Sequence, residues 1–454
     1  MLRSAATLVA IAVVAGCGDN LAGPCDGRDP VCGDNVRDAQ GRALVLRGVN
    51  LAGAHKNAPY TDNFQPADYM RLRADWGMTA IRFLITWSAI EPSQGTFDDT
   101  YLDWVAERID WAGAAGLSVV LDMHQDVYGE GFGFDGAPMW TCDASNYAGF
   151  VAKQPWGLNY ADPKVMACFD HLWTDAPTQG ELVAAWRHVA QRLADKPQIV
   201  GFDPINEPSW GSYSIATFER DRLQPFYESA IAAVREVAPT WVAFAEPSNS
   251  RGLGFLTSLQ PFRAKDVVYS PHLYDVNAEQ TGMFDPADSS DLVQTGADFA
   301  SEAGRLATPV WIGEYGGQGA DPEIAAYMGA DYEAAAGAAA GAMVWAYDEG
   351  GGYSLLDASG NEVTPLVDAV VLPAPAAVAG APLSWSFDPI SRTFELRFVP
   401  EPTITAPTII MTPERVYPTG VAVSCGGCVV ELVANEVHVS GATGNPAVVN
   451  ITPR

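Results

Sequence analysis

The chain has 454 residues, with 26 Lys and Arg against 55 Asp and Glu, giving a formal net charge of −29. An apolar fraction of 48% excludes disorder as its overall state. The acidic balance argues against a nucleic acid, or an anionic lipid surface bound through charge, as partner. At about 150 residues per domain, the length predicts two or three domains.

The first 16 residues read as an export signal: Arg3, an apolar run over 5–15, then small residues. That run is too short to cross a bilayer as a helix. Val14-Ala15-Gly16-Cys17 resembles a bacterial lipobox, which would make a lipidated Cys17 the new N-terminus. Gly18 in place of Asp points to the outer membrane or cell surface, with plain secretion as the alternative. Lipidation of Cys17 would leave six cysteines, which suit an oxidising compartment. Neighbours pair most economically as Cys25–Cys32, Cys142–Cys168 and Cys425–Cys428, among the several connectivities six cysteines allow. Cys425-Gly-Gly-Cys428 has redox-motif spacing, but no helical pattern follows it, so a structural bridge reads better. No His stands at finger spacing from a cysteine pair and no HExxH motif occurs, so neither a metal nor another cofactor is expected.

Residues 17–42 are Gly- and Asp-rich and read as a tether. Apolar runs then recur at 43–50, 80–85, 117–123, 199–205, 242–245, 267–270, 309–312 and 342–346. Amphipathic segments at 66–76, 100–115, 179–194, 218–237, 289–307 and 322–340 lie between them. Strands alternating with helices imply parallel βαβ units, and eight of them predict a (β/α)8 (TIM) barrel over 43–372. The absence of a Gly-rich phosphate loop after the first run weighs against an open doubly wound sheet. One connection, 125–178, is far longer than an ordinary loop, is rich in aromatics and holds Cys142 and Cys168, which suggests a wall of the substrate site. Residues 373–382, rich in Pro and Ala, read as a linker. The short alternating runs that follow to 454 predict a small C-terminal β-sandwich, expected to pack on the barrel because Trp385 is its one obvious sugar-stacking residue.

A barrel carries its chemistry at the C-terminal ends of its strands. Those ends hold Arg82, then Asp122-Met-His124-Gln-Asp126, Asn206-Glu207-Pro208, Glu246, His272-Leu-Tyr274, Glu314-Tyr315 and Trp345. Each alone is unremarkable, since strand-end carboxylates are usually solvated and single histidines usually structural. Together on one rim they make a constellation. Two glutamates on the fourth and seventh strands are what retaining glycoside hydrolysis requires: one protonates the leaving oxygen, the other attacks the anomeric carbon. Arg82 would keep the nucleophile ionised, Asn206 would bond a sugar 2-hydroxyl, and Trp345 would floor the ring.

These residues resemble glycoside hydrolase family 5 over roughly 43–370: Arg82, His124, Asn206-Glu207-Pro208, His272, Tyr274, Glu314 and Trp345 match its pattern. The resemblance implies Glu207 as acid/base and Glu314 as nucleophile. A finer resemblance is to the endoglycoceramidases of that family, through His55-Lys56-Asn57-Ala58-Pro59-Tyr60, Asp122-Met-His-Gln-Asp126-Val-Tyr128 and Gly136-Ala-Pro-Met-Trp140. It implies that Lys56, His124 and Asp126 grip the sugar beside the scissile bond, and that the substrate is a glycosphingolipid split into oligosaccharide and ceramide. A C-terminal β-sandwich agrees with it. Glucosyl and galactosyl headgroups both stay open. An endo-β-glucanase is the alternative within the enzyme class; it would want a line of spaced tryptophans, and Trp87, Trp140 and Trp210 would serve either substrate. A non-catalytic glycan-binding lipoprotein is the alternative outside it. The chain is expected to act as a monomer.

Overall fold

The computed structural model describes residues 29–454. The export signal, the lipidation site Cys17 and the Cys25 half of the Cys25–Cys32 pairing lie outside the described residues. Among the described residues no helix is long and apolar enough to cross a membrane.

Eight parallel strand positions form one continuous sheet: β1 (Gly48–Leu51), β2 (Ala80–Thr86), β3 (Ser118–His124), β4 (Ile199–Asp203), β5 (Val242–Ala245), β6 in two pieces (Val267–Tyr269 and His272–Leu273), β7 (Trp311–Tyr315) and β8 (Gly341–Tyr347). The first piece of β6 pairs with β5 and the second with β7, and β8 pairs with β1. The sheet therefore closes on itself as a barrel; the Tyr269 N–H, donating to the Pro309 carbonyl at 2.9 Å, bridges the break.

The side-chain period of two explains why the runs look uniformly apolar. In β2, Ile81, Phe83 and Ile85 face the surrounding helices in the main core, while Ala80 and Leu84 face the barrel axis. Arg82 shares that inner face and is fully buried. Helices begin where the sequence supplies acceptors for their free N–H groups. Asp98 caps Asp99–Ala115 through the Thr100 and Tyr101 N–H groups, and Gly116, at φ +81°, ends it.

The long connection after β3 contains its own turns and a helix, Pro163–Thr174, before the crossover helix Ala176–Leu193. Cys142 and Cys168 are bridged across it. Most of its aromatics face inward: Tyr128, Phe132 and Phe169 are buried and pack edge to face, with Tyr147 and Phe150 on Phe132. The segment is thus held by a small core of its own, and Met139, Val151, Trp156 and Leu158 are the large hydrophobic side chains it exposes.

The C-terminal part is a two-sheet sandwich, with two departures from expectation. Ala43–Leu44, read as the start of the first barrel strand, pairs antiparallel with Ala377 and Val378 and belongs to the sandwich. Residues 373–382 are not a free linker: Ala374–Val378 and the start of Gly380–Asp388 are sandwich strands. Pro375 and Pro382, the prolines within these strands, sit at register shifts, where a missing N–H is tolerated. Trp385 lies in the sandwich core, 4% exposed, so no sugar can stack on it. Cys425 and Cys428 are bridged. Arg415 pairs with Asp368 and Glu362, and Arg73 with Glu436, which ties the sandwich to the barrel as expected.

Asp331, on the helix Ile324–Gly337, is 2% exposed and neither carboxyl oxygen has a hydrogen-bond partner. Burial, with Asp275 nearby, lifts its pKa well above the usual carboxylate range. The unfolded chain therefore ionises first, and stability falls as pH rises above the unfolded value. Asp331→Leu is expected to gain about 1–3 kcal/mol at pH 7, with the gain shrinking toward pH 4. Urea unfolding at the two pH values checks both.

Candidate active site

Arg82 is the hub. Its Nη1 donates to Glu314 Oε1 at 2.7 Å and Asn50 Oδ1 at 3.1 Å; its Nη2 faces Asp203, Asn206, Glu246 and Asp122 at 2.9–3.0 Å. A planar guanidinium with five donors suits such a ring of acceptors, and a compact ammonium would not. One fully buried cation thus orients residues from five strands.

Glu207 follows β4 at φ +39°, a left-handed backbone that a β-carbon disfavours. The strain is held in place by Glu246, whose Oε2 accepts the Glu207 N–H at 2.7 Å, and by Gln125, whose Nε2 donates to the Asn206 and Glu207 carbonyls. The side chain of Glu207 is 22% exposed and opens into the cleft, while that of Glu314 is 7% exposed. His272 Nδ1 lies 3.0 Å from Glu207 Oε1 and 3.6 Å from Glu314 Oε2, and its Nε2 lies 3.1 Å from Glu246 Oε1. A carboxylate oxygen of Glu207 and one of Glu314 fall within 4.8 Å of each other. Tyr274 donates its hydroxyl to Glu314 Oε2 at 3.0 Å.

Electrostatics follow from this packing. Burial pushes Glu314 up to about 7, with His272 and Arg82 pulling it down and Glu207 and Glu246 adding to the rise. Burial opposes the charge on His272, yet Glu246, Glu314 and Glu207 hold it well above the usual imidazole range. Glu246 is held down to about 2: burial works against it, but the His272 and Arg82 charges prevail. An imidazolium thus stands between two glutamates, and Glu246 is a permanent anion beneath them.

The sugar-grip residues meet on the other side of the rim. Lys56 pairs with Asp126 and lies 4.8 Å over the Trp345 ring, against which His124 stacks at 5.3 Å. Lys56 is placed by its neighbour. His55, fully buried, bonds the Leu84 carbonyl at 2.9 Å and Asp62 at 2.6 Å, and so pins the turn. His124 donates from Nδ1 to Asp122 Oδ2 at 2.7 Å. Asn206 accepts from Arg82 and donates to the Gln125 carbonyl at 3.2 Å, so its amide is fixed in one orientation. The acidic groups that could ligate a cation face Arg82, His272 or Lys56 instead.

Lys56, Arg82, His124, Asp126, Asn206, Glu207, His272, Tyr274, Glu314 and Trp345, all expected in the site, are therefore brought together. Trp87 is not among them: it is 2% exposed, donates to Glu91 and packs edge-on to Trp140. Sequence reasoning missed Asp203 and Asp135. Asp203 carried a usable signal, an acid on the inner face of an apolar run. Asp135, in a Gly-rich loop, carried none.

The family model described as Cellulase (glycosyl hydrolase family 5) matches residues 37–351, and that of the glycoside hydrolase family 5 C-terminal domain matches 373–450. The chain belongs to glycoside hydrolase family 5. Within the family it is similar to endoglycoceramidase I of Rhodococcus hoagii (strain 103S), 28% identical over 427 residues that cover 87% of this chain and 82% of that one. It is also similar to an endoglycoceramidase of Cyanea nozakii, 26% identical over 80% of this chain and 79% of that one. Endo-glycoceramidase II from Rhodococcus sp. superposes with a TM-score of 0.82 at 32% identity, covering 92% of this chain and 99% of that one. Structures of that enzyme include a ganglioside GM3 complex (TM-score 0.83, 30% identity, 92% and 99% covered) and a lactosyl-enzyme intermediate (0.81, 31%, 93% and 100%).

Proposed function

We propose that this family 5 hydrolase cleaves the β-glycosidic bond between glycan and ceramide in glycosphingolipids, with retention of configuration. The observation that carries the reading is the approach of one Glu207 oxygen to within 4.8 Å of one Glu314 oxygen, flanked by Lys56, Asp126, His124 and Trp345. A double displacement needs its carboxyl groups about 5–5.5 Å apart, too close to admit the water of a single displacement. Glu207, the more exposed of the two, protonates the ceramide oxygen as it leaves. Glu314, oriented by Arg82 and Tyr274, attacks the anomeric carbon from the opposite face. Glu207 then takes a proton from the water that releases the sugar. His272, between the two, compensates the charge that moves from one carboxyl to the other.

The apolar aglycone is consistent with the exposed Val151 and Leu158 of the connection that leaves the C-terminal end of β3. An endo-β-glucanase would want a row of open tryptophans, and Trp87 is sealed. Product analysis by mass spectrometry separates the two readings. Lactosylceramide should give intact lactose and free ceramide, faster than mixed-linkage β-glucan is shortened; glucan cleavage with untouched glycolipid would refute the ceramide assignment.

The reading extends to location: an exported monomer held at the outer membrane or cell surface through Cys17, on the strength of its lipobox-like sequence. Partition of the native protein into the aqueous phase of a detergent extract would contradict the anchor, and a dimer mass by light scattering the monomer.

A further inference from the structure

Beside the sugar grip lies a cavity of about 490 Å³ lined by Lys56, Tyr60, Asp126, Glu130, Phe134 and Asp135, among others. Asp135 is 2% exposed in its wall. The segment around it is latched to the ends of β3 and β2: the Asp126 N–H donates to the Asp135 carbonyl at 3.0 Å, and the Ser88 N–H to the Gly136 carbonyl at 2.9 Å. Gly136, at φ +126°, is pressed so close that a β-carbon there would meet Gln125 at 2.5 Å. Oxygens of Asp126 and Asp135 and a His124 nitrogen fall within 4.8 Å of one another, and Lys56 Nζ lies 3.9 Å from Asp135 Oδ1 while pairing with Asp126. Two carboxyls thus converge on one ammonium in a buried place, where a second negative charge would be uncompensated.

We propose that Asp135 is a positioning residue for glycone binding: it keeps its proton and donates it to the Asp126 carboxylate, which fixes the Lys56–Asp126 pair toward the sugar hydroxyls. The proposal rests on the assignment of that pair as the glycone grip. Burial raises Asp135 well above the usual carboxylate range, and the Asp126 charge adds to this against the pull of Lys56. Burial works against the charge on Asp126, but the Lys56 ammonium holds its pKa below the usual value. The groups facing the pair are Lys56 after β1, His124 on β3, and Tyr60, whose hydroxyl donates to Glu130 across the cavity. Burial and Lys56 lower the His124 pKa well below its usual range, so it stays neutral and does not compete for the role.

The consequence is a sugar affinity that depends on pH. Below the point at which Asp135 ionises the pair is intact. Above it Lys56 is shared between two carboxylates, and KM rises by up to about tenfold per pH unit while kcat changes little. In Asp135→Asn the amide still donates to Asp126 but cannot ionise, so activity is retained and the alkaline rise in KM disappears. In Asp135→Ala the donor is lost, and KM is high at every pH. The full chain in detergent is assayed on lactosylceramide across pH, and lactose binding is followed by calorimetry on the same three proteins. An Asn variant with the wild-type alkaline limb, or a wild type without one, overturns the proposal. Lactose binding that follows the expected pattern without glycolipid hydrolysis would overturn the substrate assignment and support the role of Asp135; no lactose binding at all overturns both.

Discussion

Glu314→Ala is expected to lower kcat on glycosylceramides by about 10⁴-fold or more, the scale on which removal of a covalent nucleophile acts. The loss should be chemical and not structural. Arg82, the buried partner of Glu314, keeps Asp122, Asp203 and Glu246 around it, so no unpaired charge is left behind. Thermal unfolding should therefore shift little against the size of the rate loss. The variant also leaves a hole where the carboxylate stood, beside the positive charges of Arg82 and His272. Azide fits such a hole and can attack the anomeric carbon in its place, which restores turnover of an activated aryl lactoside and gives an α-glycosyl azide. Turnover within tenfold of wild type, or a β-azide, would remove Glu314 from the nucleophile's place.

Glu207→Gln should show a different signature. Loss of a general acid costs about 10²–10⁴-fold, and the cost depends on how much the leaving group needs a proton. Ceramide leaves as a poorly stabilised alkoxide and should suffer the full effect. A dinitrophenyl lactoside needs no proton, so its first step should run nearly as in wild type. Its second step, in which water must be activated, should then be slow and produce a burst of phenol. The substitution keeps the backbone N–H that Glu246 accepts, and with it the left-handed turn. Equal slowing on both substrates would assign the proton transfer elsewhere.

The contrast between these two carboxyls also shows what a sequence can carry. The strand-end positions of Glu207, Glu314, Arg82 and His272 were legible because barrel strands alternate with helices at a regular spacing. What the sequence could not carry was long-range pairing. Residues 43–50 form one apolar run, yet Ala43 and Leu44 join strands more than 300 residues away, and Gly48–Leu51 joins the barrel. Pro375 and Pro382 looked like linker residues because register shifts that tolerate proline are invisible without the partner strand. The aromatics of 125–178 suggested an open wall, but packing put Tyr128, Phe132 and Phe169 inside. Asp135 matters through its distance to Lys56 and Asp126, and an acid among glycines reads as solvated until that distance is known.

The central claim, a double displacement through Glu314, is tested most directly by trapping the intermediate. A lactosyl fluoride carrying fluorine at C2 of the reducing-end sugar slows both steps but leaves more readily than it is hydrolysed, so the glycosyl-enzyme accumulates. Intact-mass measurement should show the chain heavier by one fluorinated lactosyl group, and peptide mapping should place that group on the segment containing Glu314. No adduct, or an adduct on Glu207 or any other side chain, would contradict the account.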